Sequence, residues 1–173
     1  MKFYKKFLFG KKNIEVNLTN LIYKKKNLFI FGYPKLKKIS KLNEQNINRE
    51  YKNISGYFFI MLIKKDSLVF FTDVVSNYKV YFKIEKNNLF IFDDENIKNY
   101  IQKDTINKNY LNFFIEKNYT PGNLTFLKNI KKFQPCTCYQ FNRQLNIKKK
   151  ILFPNIKNNH DENKCKIEIK KYF

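Results

Sequence analysis

Cys136 and Cys138 stand two residues apart, a spacing that puts side chains on one face of a β-strand. With Cys165 and His160 they would make a four-donor set of the kind that holds zinc. The neighbouring residues favour a structural reading: Cys136 follows Pro135 at a turn, and Cys138 falls inside an apolar strand. No metal and no cofactor is expected. His160-Asp161-Glu162 reads as a polar surface loop, and one histidine leaves little room for imidazole acid–base chemistry. Asp93-Asp94-Glu95 offers carboxylates to a cation, or negative charge to the first turn of a following helix; the second is the expectation. Asp73, between two strand-like runs, is expected to cap backbone N–H groups in a turn.

These residues sit in a chain of 173 residues with 35 Lys and Arg against 14 Asp and Glu, a net charge of +21. Such a charge attracts phosphates and anionic surfaces in a salt-dependent way. Only Arg49 and Arg143 are arginine, whereas base-reading proteins favour the arginine fork. Lys, Asn, Ile, Phe, Tyr and Met fill well over half of the chain, and Ala and Trp are absent. All six have A/T-rich codons, so an A+T-rich genome accounts for much of the lysine. No RNP, KH or zinc-finger pattern occurs, so binding to nucleic acid is expected to be nonspecific. The same bias makes the four glycines (Gly10, Gly32, Gly56, Gly122) and four prolines (Pro34, Pro121, Pro135, Pro154) informative about the backbone.

The elements that must position these residues are mostly strands. Residues 2–9 alternate loosely as a first strand, and 13–23 hold one or two more. Residues 27–31 form an apolar strand ending in a turn at Gly32-Tyr33-Pro34. Residues 35–53 are polar, with Leu36, Ile39, Leu42 and Ile47 at helical spacing. Four strands follow at 56–63, 67–72, 78–84 and 88–92, and the runs 57–63 and 68–71 are apolar on both faces, as in a sheet covered on both sides. Helices are expected at 94–102 and 107–117, the second with a stripe of Tyr110, Leu111, Phe114 and Ile115. Residues 136–142 and 147–153 complete a pair of strands. Residues 1–153 then make one domain, 154–173 a linker-like tail, and 166–173 a possible last strand. The longest apolar run, 57–63, is far short of a membrane span. The first ten residues lack the apolar core and small-residue site of a secretory leader. Free thiols in a reducing, cytoplasmic setting are expected.

Two segments resemble the N-terminal glutaminase domain of the asparagine synthetase-like family, class II glutamine amidotransferases with an N-terminal nucleophile. In residues 120–141, Pro121, Gly122, Thr125, Lys128, Ile130, Lys131, Lys132, Phe133 and Pro135 stand at the family's spacing. In residues 54–95, Gly56-Tyr57-Phe58 matches a Gly-x-Phe-Ala strand opening and Thr72-Asp73-Val74-Val75-Ser76 an Arg-Asp-x-x-Gly turn. Val80-Tyr81-Phe82 matches a Leu-Tyr-Tyr strand, and residues 92–95 a Phe-Ala-Ser-Glu segment. The resemblance implies an α+β fold approaching an αββα four-layer sandwich, with two mainly antiparallel sheets inside and helices outside.

The departures decide what chemistry the resemblance implies. The family's nucleophile is a cysteine exposed by removal of the initiator Met, with its own α-amine as base. Lys2 stands in that place, and no cysteine precedes Cys136. The family's Asn-Gly-Glu oxyanion segment corresponds to Phe31-Gly32-Tyr33, where only Gly32 is left to offer an N–H. The Ser-Gly-Gly-x-Asp-Ser pyrophosphate loop of the synthetase domain is missing, and the chain ends about where that domain would begin. The expectation is a catalytically inactive, free-standing domain. It would be an accessory or scaffold for an ATP-pyrophosphatase-type, amide-forming synthetase in another chain, or a remnant of a split enzyme. The contact surface would include residues 120–133. Two alternatives stand beside it. One is an RNA- or anionic-surface binder using lysines 24–26 and 148–150. The other is a residual glutamine amidohydrolase using Cys136 or Cys138.

Overall fold

Alternate residues of one strand enter two different cores. Along the run Leu28-Phe29-Ile30-Phe31, Phe29 and Phe31 join one buried cluster while Leu28 and Ile30 join another. The next strand repeats the division, with Phe59 and Met61 on one side and Phe58, Ile60 and Leu62 on the other. Runs that are apolar throughout therefore belong to a sheet buried on both faces. Burying each such side chain stabilises the fold by about 1.5–3 kcal/mol before entropy is charged against it.

A computed structural model describes residues 2–35, 39–101, 104–118 and 122–152. Its strands are β1 (Phe3–Phe9), β2 (Lys12–Leu18), β3 (Leu21–Lys25), β4 (Leu28–Lys35), β5 (Ser55–Ile63), β6 (Ser67–Thr72), β7 (Val80–Glu85), β8 (Asn88–Asp93), β9 (Ile130–Lys132), β10 (Thr137–Asn142) and β11 (Ile147–Ile151). They form a five-stranded sheet, β1-β2-β8-β7-β9, and a six-stranded sheet, β11-β10-β6-β5-β4-β3. Among the described residues only the β2–β8 pairing is parallel. The larger core lies between the sheets and draws Val16 and Leu18 from β2, Phe82 from β7 and Ile91 from β8 against Phe29, Phe59, Phe70 and Phe141. Phe133 is at its centre, with rings of Phe59, Phe70, Phe82 and Tyr139 between 4.8 and 5.4 Å away. The second core lies on the other face of the six-stranded sheet, where Leu42, Ile47, Tyr51 and Ile54 cover it.

The structure is thus mixed α/β, mostly strands, in two sheets that share a core. Helix is scarce. α1 (Ile47–Glu50) and α2 (Lys98–Ile101) have four residues each, and α3 (Lys108–Lys117) has ten. Asn107 caps α3 through its side chain, and Asn118 ends it in a left-handed conformation. No described helix is long and apolar enough to cross a membrane.

Several expectations need correction. Gly32-Tyr33-Pro34 is not a turn: β4 runs on through it and pairs with β5 as far as Lys35. Pro34 is tolerated because β3 pairs with β4 only up to Phe31, so no neighbour on that side needs its missing N–H. Cys136 lies in a turn after Pro135, at φ 48°, so the strand expected from residue 136 begins at Thr137. Within the described part of the helix expected over 94–102, only α2 is helical, because residues 94–97 form turns after β8. β9 was not foreseen, since three residues are too few to show a period. Pro121, Cys165, His160 and the tail 154–173 lie outside the described residues.

Candidate functional site

Gly32, Gly56, Asp73 and Asp93 lie at one end of the sandwich, where β2, β4, β6 and β8 finish and β5 begins. Phe3, next to Lys2, packs its ring 5.2 Å from Phe29 and 5.4 Å from Phe31. The start of β1 is therefore beside the segment carrying Phe31 and Gly32. Gly32 has φ +94° and Gly56 has φ +91°, a region that side-chain-bearing residues rarely adopt. The two flank the Tyr33–Tyr57 pair of the β4–β5 ladder. A methyl group on Gly32 would collide with the Tyr57 carbonyl oxygen, and one on Gly56 with the Tyr33 carbonyl oxygen. The glycines let the two backbones close at this end and leave Tyr33 and Tyr57 63 % and 50 % exposed.

The chemistry of this end turns on where its hydrogen-bond donors point. The N–H of Gly32 donates to the carbonyl of Asn20 at 2.9 Å. It extends the β3–β4 ladder and is not free to receive a developing oxyanion. Asp73 is buried, and its carboxylate accepts from the N–H groups of Phe58 (3.1 Å), Val75 (2.9 Å), Asn77 (3.3 Å) and Tyr78 (3.4 Å). Its own backbone bonds the Phe58 carbonyl and the Cys136 N–H. Asp73 is the turn-capping residue that the sequence suggested, and it ties β5 and the turn before β10 to the end of β6.

A second buried carboxylate, Asp93 of the acidic triplet, has a role the sequence reading did not foresee. Asp93 Oδ2 accepts from the N–H and hydroxyl of Thr19 at 2.6 and 2.7 Å and from the Tyr78 hydroxyl at 3.1 Å. Asp93 Oδ1 accepts from the Asn96 amide at 2.7 Å. Burial pushes the Tyr78 phenol well above its ordinary range. The only signal in the sequence was a carboxylate closing the apolar run Asn88–Asp93. Thr19, Tyr78 and Asp93, with Asn20, Asn77, Lys79, Asp94 and Glu95, line a cleft of about 170 Å³. Its hydroxyls are held by protein partners. Asp94 accepts from the Tyr81 hydroxyl at 2.7 Å and lies 3.9 Å from Lys79 Nζ, so the acidic triplet does not converge on one point. Among the described residues no group of three or more His, Cys, Asp and Glu side chains could hold a metal ion.

The loop before β10 carries the stronger half of the resemblance. Thr125 Oγ1 donates to the carbonyl of Ile130 at 2.7 Å and accepts from the Leu127 N–H at 3.1 Å, which fixes the loop. Lys128 is exposed, and its N–H bonds the Thr105 carbonyl. Gly122, at φ +57°, and Pro135 are exposed as well, and the Pro135 carbonyl accepts from the Thr137 hydroxyl. Buried Lys83 holds the loop's base to the sheet through an ion pair with Asp104 at 3.7 Å, while Asp104 Oδ1 accepts from Asn129. Phe126, 42 % exposed, packs edge-on against Tyr110 and Phe114 of α3.

Neither described thiol is poised for attack. Cys136 is buried and hydrogen-bonds the Leu152 carbonyl; Cys138 is half-buried beside the outer core. Burial pushes both thiols up, away from the thiolate. The two lysine clusters, 24–26 and 148–150, are exposed but belong to opposite edges of the six-stranded sheet. Five strand spacings separate them, about 24 Å, so they do not make one patch. Comparison with known proteins returns no matching family model and no matching curated protein.

Proposed function

We propose that this chain is a catalytically inactive domain of the asparagine synthetase-like glutaminase type, which works by holding a protein partner. The observation that carries the reading is the hydrogen bond from Gly32 N–H to Asn20: the donor that an oxyanion hole would need is committed to the fold. The buried thiol of Cys136 and the half-buried thiol of Cys138 support it, because burial pushes both up, away from the nucleophilic thiolate. The ring of Phe3, one residue after Lys2, packed 5.4 Å from that of Phe31 supports the assignment of this end as the former reaction centre. The finer architecture belongs to the same proposal: the segments around α1 and around α2 and α3 would be the outer layers of a reduced αββα sandwich. The inward Tyr51 and the ring of Tyr100, stacked 4.2 Å from Phe92, support that view.

The partner in this reading is a synthetase-type enzyme that activates a carboxylate with ATP, and the domain is its accessory subunit or the remnant of a split enzyme. A diazoketone analogue of glutamine followed by intact-mass measurement tests the loss of chemistry. No adduct is expected on any thiol; a stoichiometric adduct on Cys136 or Cys138 would restore the amidohydrolase reading. The separation of the two lysine clusters weighs against an RNA-binding reading.

A further inference from the structure

Four strands end the two sheets: β1 and β9 in one, β11 and β3 in the other. A sheet edge bears unpaired N–H and C=O groups, and proteins protect it by shortness, bulges, proline or charge. β9 has three residues, β3 carries a register shift between Leu21 and Tyr23, and β11 is five residues with three consecutive lysines. β1 is different. It has seven residues, holds unbroken register with β2 from Phe3 to Phe9, and contains neither proline nor bulge. Among the described residues β2 is its only strand partner. Among the described residues only charge guards it, through Lys5 and through Lys6, whose Nζ also lies 3.1 Å from Glu15 of β2.

We propose that the free edge of β1 is the docking site for an extended acidic segment of a partner protein, which adds to the five-stranded sheet as an antiparallel strand. This rests on the partner-holding reading above and names the partner's chemistry. A ladder of alternate backbone donors and acceptors is matched by a peptide and not by a nucleic acid or a lipid headgroup. The charge selects among peptides. Pairing β1 with β1 of a second copy would bring lysines together across the strands, and like charges placed opposite are destabilising. Carboxylates in the same places reverse the sign.

The side chains set the pattern. Tyr4 and Leu8 are 56 % and 71 % exposed on the outer face, with Lys6 between them. An open groove of about 460 Å³ continues from Lys6 and Leu8 across Glu15 and Asn88 to Phe90. On the inner face Lys5 Nζ lies 5.2 Å from the ring centres of Phe7 and Phe29, at the rim of the core. A strand opposite residues 8, 7, 6, 5 and 4 would therefore read apolar, apolar, acidic, acidic, apolar.

The test uses a labelled peptide with the centre Val-Val-Glu-Glu-Val, titrated into the full chain, with amide exchange followed by NMR. The expected result is saturable binding that weakens with salt and slows exchange at alternate amides of β1, with the chain remaining monomeric. Replacing both Glu by Lys in the peptide, or Lys5→Glu in the chain, weakens binding by about tenfold or more. Should the variant fail to fold, the two peptides compared on the unaltered chain decide the matter. Exchange unchanged in β1, equal binding of both peptides, dimerisation through β1, or slowing of β1 by an oligouridylate instead of the peptide would each overturn the proposal. Ammonia release from glutamine would sink the non-catalytic reading and leave the exchange pattern intact, so the two failures are distinguishable.

Discussion

Replacing Asp73 is expected to loosen the whole end of the sandwich. Its carboxylate accepts four backbone N–H groups, two at 2.9 and 3.1 Å and two at 3.3 and 3.4 Å. A hydrogen bond to a charged group contributes about 1.5–3 kcal/mol, and a buried donor left alone costs a similar amount. Asp73→Ala orphans both short donors and is expected to cost about 4 kcal/mol, with the long contacts adding little. Asp73→Asn keeps the shape, but whichever way the amide faces, its NH2 group meets one short N–H donor. About 2 kcal/mol should be lost, on the same bond energies. Urea unfolding followed by far-UV circular dichroism reads both. With a slope near 2 kcal/mol per molar, the midpoints should fall by about 2 M and 1 M. An Asn variant within 0.3 M of the parent, roughly 0.6 kcal/mol on that slope, would refute the assignment of Asp73 as the structural cap.

Three further outcomes follow from the same end of the molecule and its surroundings. Gly32→Ala places a methyl against the Tyr57 carbonyl at φ +94° and should cost about 3 kcal/mol in the same assay, whereas a loss under about 0.5 kcal/mol would show that the β4–β5 close approach is misjudged. Burial pushes the phenols of Tyr51, Tyr78, Tyr81 and Tyr100 up. A raised folded-state pKa favours the protonated form, so stability is intact below the ordinary phenol value of about 10 and declines as pH rises past it. Phenolate absorbance should show these four lagging the exposed tyrosines until the chain unfolds; simultaneous titration of all twelve below the unfolding transition would contradict the burial. Iodoacetamide at pH 8 should label Cys136 and Cys138 far more slowly in the folded chain than in urea, and equal rates would mean that the thiols are open.

Much of the scaffold was legible because it rests on local pattern. The runs at 56–63, 67–72 and 88–92 are strands, and the apolar residues on both faces of the first two announced a doubly covered sheet. Asp73 was readable as a cap because a carboxylate between two strands has few other uses. The turn expected at Gly32-Tyr33-Pro34 failed because glycine and proline mark an unusual backbone without saying whether the chain reverses. Here a paired glycine, Gly56, twenty-four residues away in sequence lets the strand continue. The Asp93–Thr19–Tyr78 network was hidden for a related reason: it joins β2 to β8 across 74 residues, and only the parallel pairing of those strands brings them together. The occupation of the Gly32 N–H by Asn20 is likewise a tertiary fact with no sequence signature.

The central claim is the loss of glutaminase chemistry, and ammonia release measures it most directly. Purified chain incubated with glutamine, with ammonia read by a coupled dehydrogenase assay, should release it at the rate of buffer alone, and a Cys136→Ser/Cys138→Ser variant should behave identically. Sustained turnover proportional to protein concentration, abolished in that double variant, would contradict the account.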